Sequence, residues 1–190
     1  MILVDEDTQI DFMLPAGALY VPGAERLIPA LERVFRWVRE RGIPVLSSVD
    51  AHAENDPEFR DWPAHCVQGT HGQHKLPCTL LADRRVTPNR PFVEVTRAPQ
   101  AIVEKQTLDI FSNLAWERLL ALYPDEECAV MGVATDYCVR HAVEGLLDRG
   151  RRVAIVTDAI CGIDRAASEQ VLDRAVARGA RLTTSLELAG

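Results

Sequence analysis

The alternation of short apolar runs with longer helical patterns most constrains what this chain can fold into. Residues 2–4 and 43–49 are apolar runs of strand length. Between them, residues 25–41 place apolar side chains at helical spacing until Gly42 ends the pattern. Strands that are separated by helices of this length form parallel sheets through right-handed crossovers, with helices packed on both faces.

This alternation predicts a three-layer α/β fold with a six-stranded parallel sheet, in a single domain over residues 1–190. The predicted strands are 2–4, 43–49, 92–95, 128–133, 153–157 and 181–184, and the predicted helices are 25–41, 114–123, 136–149 and 164–178. The first strand continues into Asp5 and Glu6, so it departs from the apolar pattern of a central parallel strand. Residues 51–91 have no periodicity, and an ordered loop of that length usually carries function.

Charge and cysteine content disfavour several classes of protein. The formal net charge of −7 argues against nucleic acid and anionic membranes as partners. Five scattered cysteines do not form a secreted disulfide framework, and no apolar stretch approaches the length of a membrane span. The first residues, MILVDEDTQ, lack a basic leader, so we expect a cytoplasmic protein.

Possible metal ligands follow the second predicted strand. Ligands of open α/β sheets bind beyond the carboxyl ends of the strands, and Asp50 and His52 emerge there on the same side of an extended chain. Glu58 and His65 come next along the loop. Two oxygen and two nitrogen donors suit Zn²⁺, Mn²⁺ or Fe²⁺. Spacing alone leaves open the alternative that these side chains only cap loops and turns.

Cys138 lies in the first turn of the predicted helix 136–149. A buried cysteine can simply fill space, but a helix N-terminus favours the thiolate, which is a nucleophile. Two partners could activate it. His141 shares its helix face, and Asp7 at the end of the first strand could act as a general base. Lys105 follows the apolar pair at 102–103 and approaches the same edge of the sheet.

Five motifs occur together in order: DTQIDF (7–12), DAH (50–52), WPAHC (62–66), Lys105 and GVATDYCV (132–139). In this combination the chain resembles the isochorismatase-like hydrolase superfamily, and most closely its nicotinamidases. The resemblance implies a Cys-Asp-Lys triad, in which Cys138 is the nucleophile, Asp7 takes the thiol proton, and Lys105 stabilises the thiolate and orients the carboxylate.

The same resemblance implies binding roles for residues around the triad. Asp50, His52 and His65 would bind one divalent metal ion, zinc before iron or manganese, and Glu58 would join them as in some relatives. The remaining implied features are a cis peptide bond between Val133 and Ala134, an oxyanion hole formed by the backbone N–H groups of Ala134 and Cys138, and substrate contacts from Phe12, Trp62 and Tyr137.

The activity implied by the resemblance is hydrolysis of nicotinamide to nicotinate and ammonia through a thioester, a step of NAD salvage. Two alternatives stay open. The same triad could hydrolyse another small amide or carbamoyl compound, or the chain could be a non-catalytic ligand-binding member of the fold. The apolar face of helix 25–41 and the resemblance also predict a homo-oligomer.

Overall fold

Seven parallel strands form the central sheet of the computed structural model, which describes residues 1–190. The strands are β1 (Ile2–Glu6), β2 (Val45–Asp50), β3 (Arg84–Thr87), β4 (Gln100–Lys105), β5 (Cys128–Val133), β6 (Val153–Cys161) and β7 (Arg181–Thr183). Their order across the sheet is β3-β4-β2-β1-β5-β6-β7, and each neighbouring pair is parallel. The predicted α/β fold with a parallel sheet is confirmed, but the predicted count of six strands is wrong.

Helices cover both faces of this sheet. They are α1 (Ile10–Met13), α2 (Ile28–Arg41), α3 (Leu114–Leu120), α4 (Arg140–Asp148), α5 (Arg165–Ala177) and α6 (Ser185–Ala189). The apolar stripe of α2 packs with Leu3 and Val45 on one face, whereas α3, α4 and α5 pack with Val4 and Leu46 on the other. None of these helices combines the length and the apolar character that crossing a membrane requires.

The error in strand count comes from one edge of the sheet. Residues 92–95, predicted as a strand, lie outside the sheet; Phe92 is fully exposed and adopts a positive φ of 60°. The sheet instead contains β3 and β4. β3 is an edge strand whose Arg84 and Arg85 are exposed, so it shows no apolar pattern in the sequence.

β1 occupies the centre of the sheet although it carries two acidic residues, and it pairs with β2 on one side and β5 on the other. Asp5 is buried against the Lys75 ammonium, 3.0 Å from its Oδ2. The hydroxyls of Thr8 and Ser47 donate to the same carboxylate at 2.9 and 2.8 Å. A buried charge persists only when it is paired and hydrogen-bonded, and these three partners explain why a polar residue is tolerated here.

The strand order places β1 beside β5 at the point where the chain changes direction across the sheet, which is where ligands bind in open α/β folds. Side chains alternate along β1, so regular strand geometry would turn Asp7 toward α2, with Leu3 and Asp5. Asp7 instead adopts a positive φ of 47° just after the strand ends. Its carboxylate contacts Lys105 at the end of β4.

Candidate active site

Three side chains from distant parts of the chain meet at this edge of the sheet. Lys105 Nζ, at the end of β4, lies 2.8 Å from Asp7 Oδ2 and 3.6 Å from Cys138 Sγ. It also donates to Asp50 Oδ1, at the end of β2. Cys138 lies in the π-helical turn Thr135–Val139, which leads from β5 into α4. All four side chains are buried, so their charges interact with little screening by water.

Burial dominates the protonation of the Cys138 thiol. Burial raises the pKa of Cys138 well above its usual range, Lys105 acts in the opposite direction, and the negative charges of Asp7 and Asp50 raise it further. The sequence-based expectation that the helix N-terminus favours a thiolate therefore does not describe this environment. The side chain is a thiol at rest and needs a neighbouring base to become a nucleophile.

Lys105 supplies the fixed positive charge of the cluster. Burial alone would lower the pKa of its ammonium, but Asp50 and Asp7 outweigh that effect and raise the pKa well above its usual range. Lys105 therefore stays protonated beside Asp7 and Cys138.

The alternative partner of the thiol lies elsewhere. His141 Nε2 is 3.3 Å from Arg140 Nη2, and the histidine borders a shallow surface cleft together with Thr107 and Asp109. Burial and the adjacent Arg140 lower the pKa of His141. Because Cys138 has Lys105 beside its sulfur, the geometry favours the arrangement with Asp7 and Lys105 over a Cys138–His141 dyad.

Asp50, His52 and His65 form a second cluster beside the first. Asp50 Oδ2 lies 3.8 Å from His52 Nε2 and 3.7 Å from His65 Nε2, and the potential ligand atoms of the three residues all lie within 4.8 Å of one another. Glu58 Oε2 lies 4.0 Å from His52 Nε2. The carboxylate of Asp50 thus joins the two clusters, with Oδ1 on Lys105 and Oδ2 toward the histidines.

The hydrogen bonds around the two histidines suit a divalent cation. His65 Nδ1 donates to the carbonyl oxygen of Pro63 at 2.7 Å, which leaves the Nε2 lone pair directed at Asp50. His52 Nδ1 lies 3.1 Å from Asp56 Oδ2, but both ring nitrogens of His52 are buried without a hydrogen-bond partner. His65 has the arrangement common in metal-bound histidines, in which a carbonyl or carboxylate oxygen holds the second ring nitrogen. These donors fit zinc, iron or manganese.

A cavity opens above both clusters, and ten of its thirteen lining residues are hydrophobic. Phe12, Trp62 and Tyr137 line it; the rings of Trp62 and Tyr137 pack edge to face with centroids 5.3 Å apart. Asp50 and Glu58 are the only carboxylates that line it, and no lysine or arginine does. This lining suits a small, neutral, flat molecule and disfavours one that carries a carboxylate.

The backbone at the base of the cavity contains a cis peptide bond between Val133 and Ala134. Both residues line the cavity, as does Cys138. The carbonyl oxygen of Ala134 accepts hydrogen bonds from the N–H groups of Tyr137 and Val139, at 3.0 and 3.1 Å. These bonds fix the turn that carries Cys138.

Two polar residues of the DTQIDF motif hold neighbouring loops in place, which the sequence analysis did not foresee. The Gln9 side chain donates to the Asp50 carbonyl oxygen at 2.8 Å and accepts from the Asp50 N–H at 2.7 Å. Asp11 accepts the N–H of Cys66 at 2.7 Å, which anchors the loop next to His65. In the sequence, the only indication of this role is that Gln9 and Asp11 belong to a polar motif directly after a strand.

Asp136 fixes the opposite wall of the cavity in a similar way. Its two carboxylate oxygens accept the N–H groups of Ile163 and Asp164, at 3.0 and 2.8 Å. Ile163 lines the cavity. Asp136 therefore links the turn that carries Cys138 to the loop between β6 and α5.

Residues 1–187 match the family model of the isochorismatase domain. The chain belongs to the isochorismatase family. It is 29% identical over 184 residues to a nicotinamidase of Escherichia coli K12, covering 83% of this chain and 81% of that protein. The superfamily and the particular likeness to nicotinamidases, predicted from the motifs, are confirmed.

Two solved structures resemble this one over nearly their whole length. A pyrazinamidase of Pyrococcus horikoshii in complex with zinc has a TM-score of 0.79 and 28% identity, with 96% of this chain and 98% of that chain covered. An N-carbamoylsarcosine amidase of Thermoplasma acidophilum has a TM-score of 0.78 and 26% identity, with coverage of 100% and 98%.

The raised pKa of Cys138 predicts how its reactivity depends on pH. In metal-free protein, we expect the rate of Cys138 alkylation by iodoacetamide to keep rising above about pH 8.5, where an ordinary thiol is already half ionised. Peptide mass spectrometry measures this rate separately from those of the half-buried Cys78 and Cys161. A rate that levels off below neutral pH would show a stable thiolate and contradict this account.

Proposed function

We propose that the protein is a metal-dependent cysteine amidohydrolase that converts nicotinamide and water to nicotinate and ammonia. The observation that carries this proposal is the position of Cys138 Sγ, 3.6 Å from the Lys105 ammonium at the base of an aromatic-lined cavity. An amidohydrolase acting on a non-peptide carbon–nitrogen bond is also the class of enzyme that the relatives support.

The triad residues supply the proton transfers of the reaction. Asp7 takes the proton of the Cys138 thiol as the sulfur attacks the carboxamide carbon. The backbone N–H groups of Ala134 and Cys138 donate to the oxygen of the tetrahedral intermediate, and losing one such donor typically costs a factor of ~10²–10³ in rate. Asp7 then gives the proton to the departing ammonia, which leaves a thioester on Cys138.

The same residues hydrolyse the thioester, with Asp7 now taking its proton from water and giving it to the sulfur. Asp7, ionised again, takes a proton from a water molecule that attacks the acyl carbon, and it returns this proton to the sulfur as the acyl group leaves as nicotinic acid. The acid then releases its remaining proton to solvent, where ammonia takes it up, and becomes nicotinate. Lys105 keeps its charge throughout and holds the Asp7 carboxylate by the contact of 2.8 Å to Oδ2.

Asp50, His52 and His65, with Glu58 beside them, would hold a divalent ion, zinc before iron or manganese. When bound, that ion supplies a Lewis acid for the pyridine nitrogen of the substrate or for a water molecule next to it. Phe12, Trp62 and Tyr137 pack around the ring, so the carboxamide is presented to Cys138. The structural neighbour in complex with zinc supports this choice of metal.

Hydrolysis of a carbamoyl compound is the second candidate reaction, because one structural neighbour is an N-carbamoylsarcosine amidase. The substrate of that enzyme carries a carboxylate. No lysine or arginine lines the present cavity to pair with such a carboxylate, and ten of the thirteen lining residues are hydrophobic. A carboxylate without a cationic partner is costly to bury, so this lining favours a neutral amide. A cytoplasmic location and a homo-oligomeric state stay predictions.

Replacing the nucleophile tests the reaction. We expect the unmodified protein to release ammonia from nicotinamide and Cys138→Ala to lose this activity by about 10⁴-fold or more, because no other group can form the thioester. Cys78→Ala is the matched control, since Cys78 lies outside the cavity. Ammonia release by Cys138→Ala at the unmodified rate contradicts the mechanism. If the unmodified protein binds small amides and hydrolyses none, it is a binding protein.

Removing the metal ligands tests the cofactor. We expect purified protein to contain about one equivalent of a divalent metal by elemental analysis, and His52→Ala and His65→Ala to lose it. His74→Ala, outside the cluster, should retain the metal. Because the ion positions the substrate, chelation should raise KM at least as strongly as it lowers kcat. Full activity with less than a trace of metal would exclude these residues from that role.

A further inference from the structure

Two carboxyl groups share one hydroxyl directly behind the triad. Ser48 Oγ lies 2.7 Å from Glu6 Oε2 and 2.6 Å from Asp7 Oδ1. It also accepts the backbone N–H of Asp7 at 3.1 Å. Glu6, Asp7 and Ser48 are all fully buried, so bulk water does not reach their polar atoms.

The two short contacts of the Ser48 hydroxyl need two hydrogens, one for each oxygen–oxygen pair. If Glu6 and Asp7 were both ionised, only the single hydrogen of the hydroxyl would be present. A hydroxyl has a single hydrogen and can donate to one of the two carboxyl oxygens. The other oxygen–oxygen contact, equally short, is a hydrogen bond only if that carboxyl carries a proton and donates to Ser48 Oγ. One of Glu6 and Asp7 is therefore a neutral acid.

The surrounding charges place that proton on Glu6. Lys105 pairs with Asp7 at 2.8 Å and Lys75 pairs with Asp5 at 3.0 Å, which leaves Glu6 without a cation in contact. Glu6 Oε1 and Asp7 Oδ2 are both buried without a hydrogen-bond partner, but only Asp7 Oδ2 lies against a cation, the Lys105 ammonium. An unpartnered oxygen is far less costly on a neutral acid than on a buried carboxylate.

The pKa of Glu6 agrees with this assignment. Burial and the adjacent charge of Asp7 raise it to about 8, while the Ser48 hydrogen bond and Lys105 act in the opposite direction and Asp5 adds to the rise. On the other side, β5 presents Gly132 next to Glu6, where an added Cβ would lie 1.9 Å from the Glu6 carbonyl oxygen. No titratable side chain faces Glu6 from that position.

We propose that Glu6 is a positioning residue of the triad, held as a neutral acid that donates to Ser48 so that Ser48 in turn donates to Asp7 Oδ1. This inference rests on the proposed amidase reaction. The chain of hydrogen bonds occupies Oδ1 and fixes the plane of the Asp7 carboxylate. It leaves Oδ2, the oxygen beside Lys105, to take the thiol proton of Cys138.

The assignment also has a consequence for stability. An unfolded chain releases the Glu6 proton above its ordinary pKa of 4.5, whereas the folded protein keeps it up to about 8. Glu6 therefore lowers the stability of the folded state increasingly over that interval of pH, and this effect is absent below it. Replacing Glu6 with a neutral donor of the same shape removes this dependence.

Three variants test the proposal: Glu6→Gln, which keeps a neutral donor, Glu6→Ala, which removes it, and Glu40→Gln on the exposed side of α2 as the matched control. Infrared spectroscopy near neutral pH should show the carbonyl stretch of a buried protonated carboxylic acid in the unmodified protein and in Glu40→Gln. Glu6→Gln should lack it. The Tm of Glu6→Gln relative to the unmodified protein should rise steadily between about pH 5 and about pH 8.

Kinetics separate positioning from a structural role. We expect Glu6→Ala to lower kcat by about 10-fold or more with little change in KM, and Glu6→Gln to restore most of the loss. The proposal is overturned if Glu6→Gln retains the infrared band, if its Tm difference does not vary with pH, or if Glu6→Ala is as active as the unmodified protein. If the unmodified protein hydrolyses no amide, the proposed function fails, and the infrared and thermal results still decide the protonation of Glu6.

Discussion

The buried Lys105 ammonium is the contact on which the rest of the site depends. It has no access to water, and its charge is balanced by Asp7 and Asp50, which come from the ends of two other strands. Removing one partner of a buried ion pair typically costs ~3–5 kcal/mol, because the remaining charge is left without compensation. The same ammonium lies beside Cys138 Sγ, so one cation contacts the proposed base, the proposed nucleophile and a potential metal ligand.

The parallel sheet makes this convergence available. β1, β2 and β4 end at the same edge, and the turn after β5 adds Cys138. Two local features complete the arrangement. The positive φ of Asp7 allows its carboxylate to meet Lys105, and Gln9 ties the end of β1 to the backbone of Asp50 at the end of β2. The polar residues of β1, unusual in a central strand, belong to the support of the site.

Much of the fold and the location of the site could be predicted from the sequence, because both depend on local patterns. The stripe of α2 and the apolar runs of β2 and β5 have the periodicities of their elements, and the site residues stand directly after predicted strands. β3 could not be predicted in this way. It is an edge strand with exposed arginines, so its sequence has no apolar pattern. Phe92, in contrast, is apolar and suggested a buried strand, although it is fully exposed.

The protonation states in the site lay beyond sequence reasoning for a different reason. A helix N-terminus favours thiolate, but the pKa of Cys138 follows from its burial and from the charges of Lys105, Asp7 and Asp50 at the ends of three strands. In the same way, Ser48 looks like an ordinary strand residue until the two carboxyl oxygens on either side of its hydroxyl are located. Such effects depend on contacts between residues that are distant in the chain, and only the assembled sheet shows them.

A covalent bond between the Cys138 sulfur and the substrate carbonyl carbon can be detected by mass spectrometry of the enzyme, quenched with acid during turnover of nicotinamide. We expect a nicotinoyl adduct on the peptide that contains Cys138, and loss of that adduct on treatment with hydroxylamine, as for a thioester. Continued turnover of nicotinamide by Cys138→Ser or Cys138→Ala without any adduct on this peptide would contradict covalent catalysis by Cys138.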